Sequence, residues 1–409
     1  MPYNNANARQ QFPSLGLTVE GNSVVFLDNP GGTQVPESVI NAVSIYYRER
    51  NANMGGGFLT SNRTDETLAS ARSAIADLLN APSAENIVFG ANMTTLTFHI
   101  ARSIADTIQH GDEIIITDLD HDANVSPWTD LQAQGAVIKS VPVTSECRLD
   151  MDSLRALINQ RTKMVAVTHA SNAVGTIPDV AEVVRLAHSV GALVFVDAVQ
   201  FAPHGPVNVQ ELDCDFLACS AYKFFGPHIG ILYGKAEHLT SLKPHKVRPS
   251  KDIIPFRWET GTLNFEGLAG TAAAVQYLDS LYDGVAETDR CKRLHRVMSE
   301  IKSYEMALCK ELVSGLLSIP GVTVFGITDP EEFEDRLPTV AFTWDKMTPR
   351  QTAEYLAAQN IFCWSGNYYA LRLMESLGLE ADGGAVRIGL AHYNNSAEID
   401  RLLGALKSA

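Results

Sequence analysis

Through the first two thirds of the chain, short unbroken apolar runs alternate with longer stretches whose apolar positions recur at helical spacing. The runs are Val24–Leu27, Asn86–Phe89, Glu113–Thr117, Lys163–Thr168, Ala192–Val196, Phe216–Cys219 and Ile229–Tyr233. They are too short for helices and several are rich in β-branched residues, which predicts strands, the Ala192–Val196 run being buried on both faces. Between them, Pro36 opens a helix to about Arg50, and Thr64 is placed to cap a helix through Leu79, with Asp65 and Glu66 in its first turn. Further helices are expected near Thr94 and Asn124, and from Pro178 to about Val190. This alternation predicts an α/β fold: a mostly parallel sheet with helices on both faces. The glycine-rich stretch Asn51–Asn62 reads as a ligand-facing or mobile loop.

After about residue 265 the pattern changes. Amphipathic helices over 266–281 and 286–315 precede shorter strands (Val322–Phe325, Thr339–Phe342, Ala385–Ile388) and helices near 348–359 and 396–407. At 409 residues the chain exceeds one ordinary core. The expected division is a large domain over 21–283 and a smaller α+β domain built from 1–20 and 284–409.

Composition narrows the function. A net charge of −15 argues against nucleic acid or an anionic membrane as the main partner. The N-terminus has no signal-peptide core and no run is long enough to span a bilayer. The six cysteines are too scattered for a disulfide framework or a C-x-x-C metal site, so a reduced, cytoplasmic enzyme is expected.

The candidate chemistry lies just past the strand ends, the edge of an open parallel sheet where ligands bind. Asp197 follows one strand, and Ser220, Tyr222 and Lys223 follow the next. A lysine in apolar surroundings loses basicity and can form a Schiff base. A carboxylate opposite the ring nitrogen of pyridoxal phosphate keeps that ring an electron sink. Asn92, Met93, Thr94 and Thr95 stand at a helix start suited to phosphate. Asp118, Asp120, His121 and Asp122 follow another strand; clustered carboxylates suit a hard cation, but the stacking of His121 on a flat ring is the preferred use and no metal is expected. His169, Ser171 and Asn172, then Gln200, complete four strand ends, with Asn172 able to donate to a phenolic oxygen.

Seven segments carry a family resemblance: FLDNPGGTQVP, DLDHDANVSPW, THASNAVGTIPDV, VFVDAVQ, LDCDFLACSAYKFFGPHIGILYGK, RWETGTLNFEG and VRIGLAHYNNSAEIDRL. Over nearly its whole length the chain resembles the class V, fold type I pyridoxal-phosphate enzymes, in the cysteine desulfurase and selenocysteine lyase branch. The resemblance implies pyridoxal 5'-phosphate as cofactor and Lys223 at the Schiff-base position, with Lys223 and His121 catalytic. It implies His121 on the ring, Asp197 at the pyridine nitrogen, and Asn172 and Gln200 near the ring hydroxyl. Met93, Thr94 and Ser220 would hold the phosphate, and Thr262 would reach the phosphate of a partner subunit, hence a homodimer with shared active sites. Arg387 would clamp the substrate carboxylate. Gly31, Gly32, Asn53 (from the neighbouring subunit), Asn367 and Tyr369 fall on the substrate side, with Phe58 and Trp128 as further candidates for the side-chain pocket.

Two departures from the family pattern stand out. Tyr222 replaces the histidine often found before the lysine; a phenol can still donate to the phosphate. Tyr369 falls near the position of the nucleophilic cysteine that desulfurases use as a persulfide, while Cys363 reads as a small buried hydrophobe. The expected activity is a lyase-type reaction on a small amino acid, cleaving C–S or another β-substituent without a protein persulfide. Epimerisation, decarboxylation with C–C bond formation, and a non-catalytic cofactor-binding role are the alternatives, and any sulfur acceptor is unknown. No G-x-G-x-x-G turn supports a dinucleotide-binding oxidoreductase.

Overall fold

Among the described residues, seven strands make the main sheet: β1 (Ile87–Gly90), β2 (Glu113–Thr117), β3 (Val137–Val141), β4 (Thr162–Thr168), β5 (Leu193–Asp197), β6 (Phe216–Ser220) and β7 (Gly230–Gly234). The computed structural model describes residues 3–282, 284 and 287–409. The strand order is β1-β7-β6-β5-β4-β2-β3, parallel except for β7, which runs antiparallel to both β6 and β1. Successive side chains of the central strands enter opposite cores. Val194 and Val196 pack into one, Phe195 into the other; Leu217 and Cys219 oppose Phe216 and Ala218 in the same way. This two-sided burial is why these strands read as unbroken apolar runs.

Helices Leu59–Leu79, Phe265–Ser280 and Arg290–Leu317 contribute to one core, and Met93–Ala105 with Trp128 to the other. A second, antiparallel sheet follows, from β8 (Val322–Phe325), β9 (Thr339–Trp344), β10 (Trp364–Gly366) and β11 (Ala385–Gly389), in the order β8-β9-β11-β10. The long helix Arg290–Leu317 and the C-terminal helix Ser396–Lys407 share a third apolar cluster with it. Near the N-terminus, Val25–Phe26 pairs with Ile361–Phe362 and Asp28 bridges to Gly389, which brings the turn Asn29–Gly31 beside β11.

Several expectations need correction. Thr64 does not cap its helix, which begins at Leu59 after an uncapped Phe58. Its buried hydroxyl instead donates to Arg50 and Ala52 carbonyls, tying the preceding loop to the helix. The segment after β2 forms short turns (Asp122–Asn124, Ser126–Thr129, Asp130–Gln134) rather than one helix. Edge strand β3 escapes the apolar pattern because Lys139 and Ser140 interrupt it and only Val141 is buried. The helix Met151–Leu157 is likewise unanticipated. The expected boundary at residue 283 and the helix start at 286 lie outside the described residues.

Candidate active site

Parallel strands β4, β5 and β6 end side by side, with Thr168 paired to Asp197 and Asp197 to Ala218. Their ends open into a cavity of about 470 Å³ whose lining includes Met93, Thr94, His121, Asn172, Asp197, Gln200, Ser220, Tyr222 and Lys223. The second sheet and the N-terminal turn close it with Gly31, Asn367, Tyr369 and Arg387.

Lys223 lies in the turn Ala221–Lys223 that follows β6. It is 9% exposed, its Nζ donates to the Pro30 carbonyl, and it lies 4.9 Å from the centre of the Tyr222 ring. Burial, reinforced by the Arg387 charge and opposed by Asp197, pushes its amine down to about 7. Burial pushes the Asp197 carboxyl up to about 6 against the Val199 N–H, which donates to it at 2.9 Å, and the Lys223 charge. His121 accepts a hydrogen bond from the Ala123 N–H through Nδ1 at 2.9 Å, so the neutral ring carries its proton on Nε2. Burial and the Lys223 and Arg387 charges hold it down to about 4.

At the phosphate-type end, Asn92 caps the helix Met93–Ala105 by accepting from the Thr95 N–H, leaving the Met93 and Thr94 amides at the cavity wall. Gly230 makes this approach possible: a Cβ there would lie 2.2 Å from the Asn92 carbonyl carbon. Tyr222 stacks on His228 with centroids 4.7 Å apart, and its ring backs onto Gly32, which does not itself line the cavity.

Arg387, on β11, is 5% exposed and has no ion-pair partner among the described residues. Its Nη1 donates to the Asn172 carbonyl at 2.8 Å, its Nε has no partner, and the Tyr368 ring centre lies 4.2 Å away. Tyr368 is a contact not anticipated from the sequence. Tyr368 and Tyr369 both adopt left-handed backbone conformations, φ 57° and 58°. Their carbonyls are pinned across the cavity, Tyr368 accepting from Asn172 Nδ2 at 2.9 Å and Tyr369 from the Asp122 N–H at 2.7 Å. The Tyr369 ring lies near-parallel to His121, 5.5 Å between centroids.

Other candidates do not converge. Asn53 and Thr262 lie outside this cavity and line a separate surface cavity together with Gly55 and Leu263. Trp128 is fully buried with its indole N–H on Asn124, and Phe58 is exposed before its helix, so neither lines the Lys223 cavity. His169 stacks on Phe201 at 3.7 Å, and Ser171 accepts backbone N–H groups of its own turn. The three aspartates after β2 diverge to Ser140, Thr117 and Ser126. Cys363 is half-buried outside the cavity, its thiol pushed up to about 12 by burial and Asp28.

The sequence model for "Aminotransferase class-V" matches residues 25–402. The chain belongs to the class-V aminotransferase family. A cysteine desulfurase of Pectobacterium atrosepticum is 32% identical over 423 positions, covering 100% of this chain and 98% of the relative. One from Dickeya dadantii is 33% identical, covering 97% of this chain and 95% of the relative. Among solved structures, the S-sulfonic acid form of a cysteine desulfurase from Escherichia coli superposes with a TM-score of 0.86 at 30% identity, covering 99% of this chain and 98% of that one. The apo cysteine desulfurase of Thermococcus onnurineus gives 0.88 at 28%, covering 100% and 98%. The chain is therefore a pyridoxal 5'-phosphate-dependent enzyme of fold type I with cysteine desulfurase-like character.

The cavity fits that cofactor. A buried amine and a buried carboxylate share the cavity lining with a helix N-terminus, and Asn172 Oδ1 and Gln200 Oε1, both in lining residues, are buried without a partner. No helix among the described residues is long and apolar enough to cross a membrane.

Proposed function

We propose that this enzyme removes a β-substituent from a small amino acid, cleaving C–S or an equivalent bond, without storing sulfur on the protein. One observation carries the reading. The segment Trp364–Ala370, which the family resemblance puts near the desulfurase cysteine loop, is held at the cavity by the Tyr368 and Tyr369 carbonyls, and no cysteine lines the cavity among the described residues. A persulfide carrier needs a reactive thiolate.

Bound pyridoxal phosphate supplies the electron sink that acidifies Cα. Asp197 would face its ring nitrogen, with His121 on the ring and Asn172 and Gln200 at its hydroxyl. The Met93 and Thr94 amides, Ser220 and Tyr222 would take the phosphate. Arg387 binds the substrate carboxylate with the unpaired Nε side of its guanidinium. Lys223, whose low pKa keeps a neutral amine available near pH 7, removes the Cα proton. Buried His121 stays neutral and does not compete for it. Asn53 and Thr262, which share one surface cavity away from Lys223, would complete the site of a partner in a homodimer.

The test is incubation of holoenzyme with cysteine, cysteine sulfinate, alanine and aspartate in deuterated buffer, followed by mass spectrometry. The reading expects loss of the β-substituent from a sulfur-bearing member and at most α-deuteration of alanine. Intact cysteine and sulfinate beside a decarboxylated or epimerised member would overturn it.

A further inference from the structure

We propose that the side-chain end of this site is built for S-substituted cysteines, thioethers whose sulfur carries an apolar or aryl group. This rests on the elimination reading above and names its substrate class.

The placement follows from strand pairing. Trp364 on β10 is directly opposite Arg387 on β11. Directly opposed residues in an antiparallel pair project to the same face. The indole rests on Gly31, where a Cβ would come within 2.6 Å of Trp364 Nε1. Tyr368 covers the guanidinium from another side at 4.2 Å, and Tyr369 lies beside His121. Once Arg387 has fixed a carboxylate, the substituent on Cα has to pass among these rings.

Two further observations point to an apolar substituent. Trp364 and Tyr369 are 54% and 71% exposed, yet both line the cavity. Aromatic faces left this open to water are available for cover by an apolar group. The charged lining residues are Asp197, Lys223 and Arg387, each assigned a task at the ring or the carboxylate. Asn367, which also lines the cavity, spends its Nδ2 on both oxygens of Glu380. A carboxylate, sulfinate or ammonium on the substrate side chain thus meets no unassigned counter-charge among the described lining residues, while an alkyl or benzyl group meets aromatic faces.

The chemistry balances without a redox partner. The Cα proton passes to the Lys223 amine, the Cβ–S bond breaks with its electron pair on sulfur, and the thiolate takes up a proton. The three-carbon remainder takes up one water and leaves as a 2-oxo acid and ammonium.

The test uses wild-type holoenzyme titrated with S-benzyl-L-cysteine, S-methyl-L-cysteine, cysteine and alanine. Binding is read from the cofactor absorption and, independently of turnover, from quenching of intrinsic tryptophan fluorescence; thiol release is measured separately. S-benzylcysteine is expected to bind at least tenfold tighter than alanine and to release benzyl thiol. Tyr369→Ala and Trp364→Ala are expected to cut that preference at least tenfold, and Tyr369→Phe, which keeps the ring, to retain it. S-benzylcysteine binding no tighter than alanine, or a preference unmoved by both alanine variants, overturns the proposal and leaves the exposed rings to a protein partner. Sulfide release from cysteine without turnover of either thioether overturns it while the elimination reading stands. Failure of every compound to lose its substituent defeats both.

Discussion

Arg387 offers a sharp separation of binding from stability. It is a guanidinium buried without a counter-ion among the described residues, and burial is the first cause of its lowered pKa, only partly offset by Tyr368, Asp28 and Tyr222. The drop from 12.5 to about 10 corresponds to roughly 3 kcal/mol against the charged form, at 1.36 kcal/mol per pH unit. Arg387→Met removes that burden while keeping the aliphatic stem. It forfeits the hydrogen bond to the Asn172 carbonyl, about 1.5–3 kcal/mol for a charged donor, and the stacking on Tyr368, about 1–2 kcal/mol. These terms nearly cancel, so the apoprotein of the variant should melt within about 4 °C of wild type. Substrate affinity behaves differently. Truncating one partner of a buried charged pair costs about 2–5 kcal/mol, or roughly 30- to 4,000-fold in Kd. The assays are thermal denaturation of apoprotein and absorption titration of holoenzyme with alanine, which carries the carboxylate and no leaving group. A fall in Tm beyond about 8 °C with alanine affinity intact would show that Arg387 is a strut and refute the clamp.

Other consequences are equally direct. With Lys223 held at about 7, the neutral amine predominates above that pH, so cofactor attachment to apoprotein should accelerate with a midpoint near pH 7; a midpoint above pH 9, followed by absorbance, would contradict the burial argument. Gly230→Ala places a Cβ against backbone that cannot swing aside, so the helix start must retreat and cofactor affinity, measured by fluorescence titration, should fall at least tenfold with the fold retained by circular dichroism. Asp120 and Asp197 are both buried carboxyls but should respond oppositely to amidation. Burial raises Asp120 to about 8, so it is protonated at pH 7, and Asp120→Asn should change stability by under about 1 kcal/mol. Asp197→Asn removes the carboxylate from the ring side and should abolish turnover, by product assay, while leaving a folded protein.

How far the chain could be read in advance depended on how local the signal is. Asp197 and Lys223 were legible because they stand at or just past the ends of strands buried on both faces, where an apolar run stops abruptly at polar residues. The Met93–Thr94 helix start was legible for the same reason. Arg387 carries no such mark: it lies within β11, and its importance arises only when the second sheet folds over the strand ends. Tyr368 was invisible because its role depends on a left-handed turn, and left-handed tyrosines have no sequence signature. Thr64 misled for a converse reason. A threonine before acidic residues is a good cap locally, but here tertiary hydrogen bonds to the preceding loop claim its hydroxyl. Trp128 looked like a pocket aromatic and is core, since its indole N–H is satisfied by buried Asn124.

The central claim is that sulfur, or an equivalent group, leaves from Cβ without passing onto the protein. It is tested most directly by a single turnover of cysteine or S-benzylcysteine, whichever reacts faster, with products and intact enzyme mass measured together. Elimination predicts a 2-oxo acid with ammonium, free sulfide or thiol, and an enzyme of unchanged mass. Alanine as product, with a sulfur adduct that maps to Cys363, would contradict it.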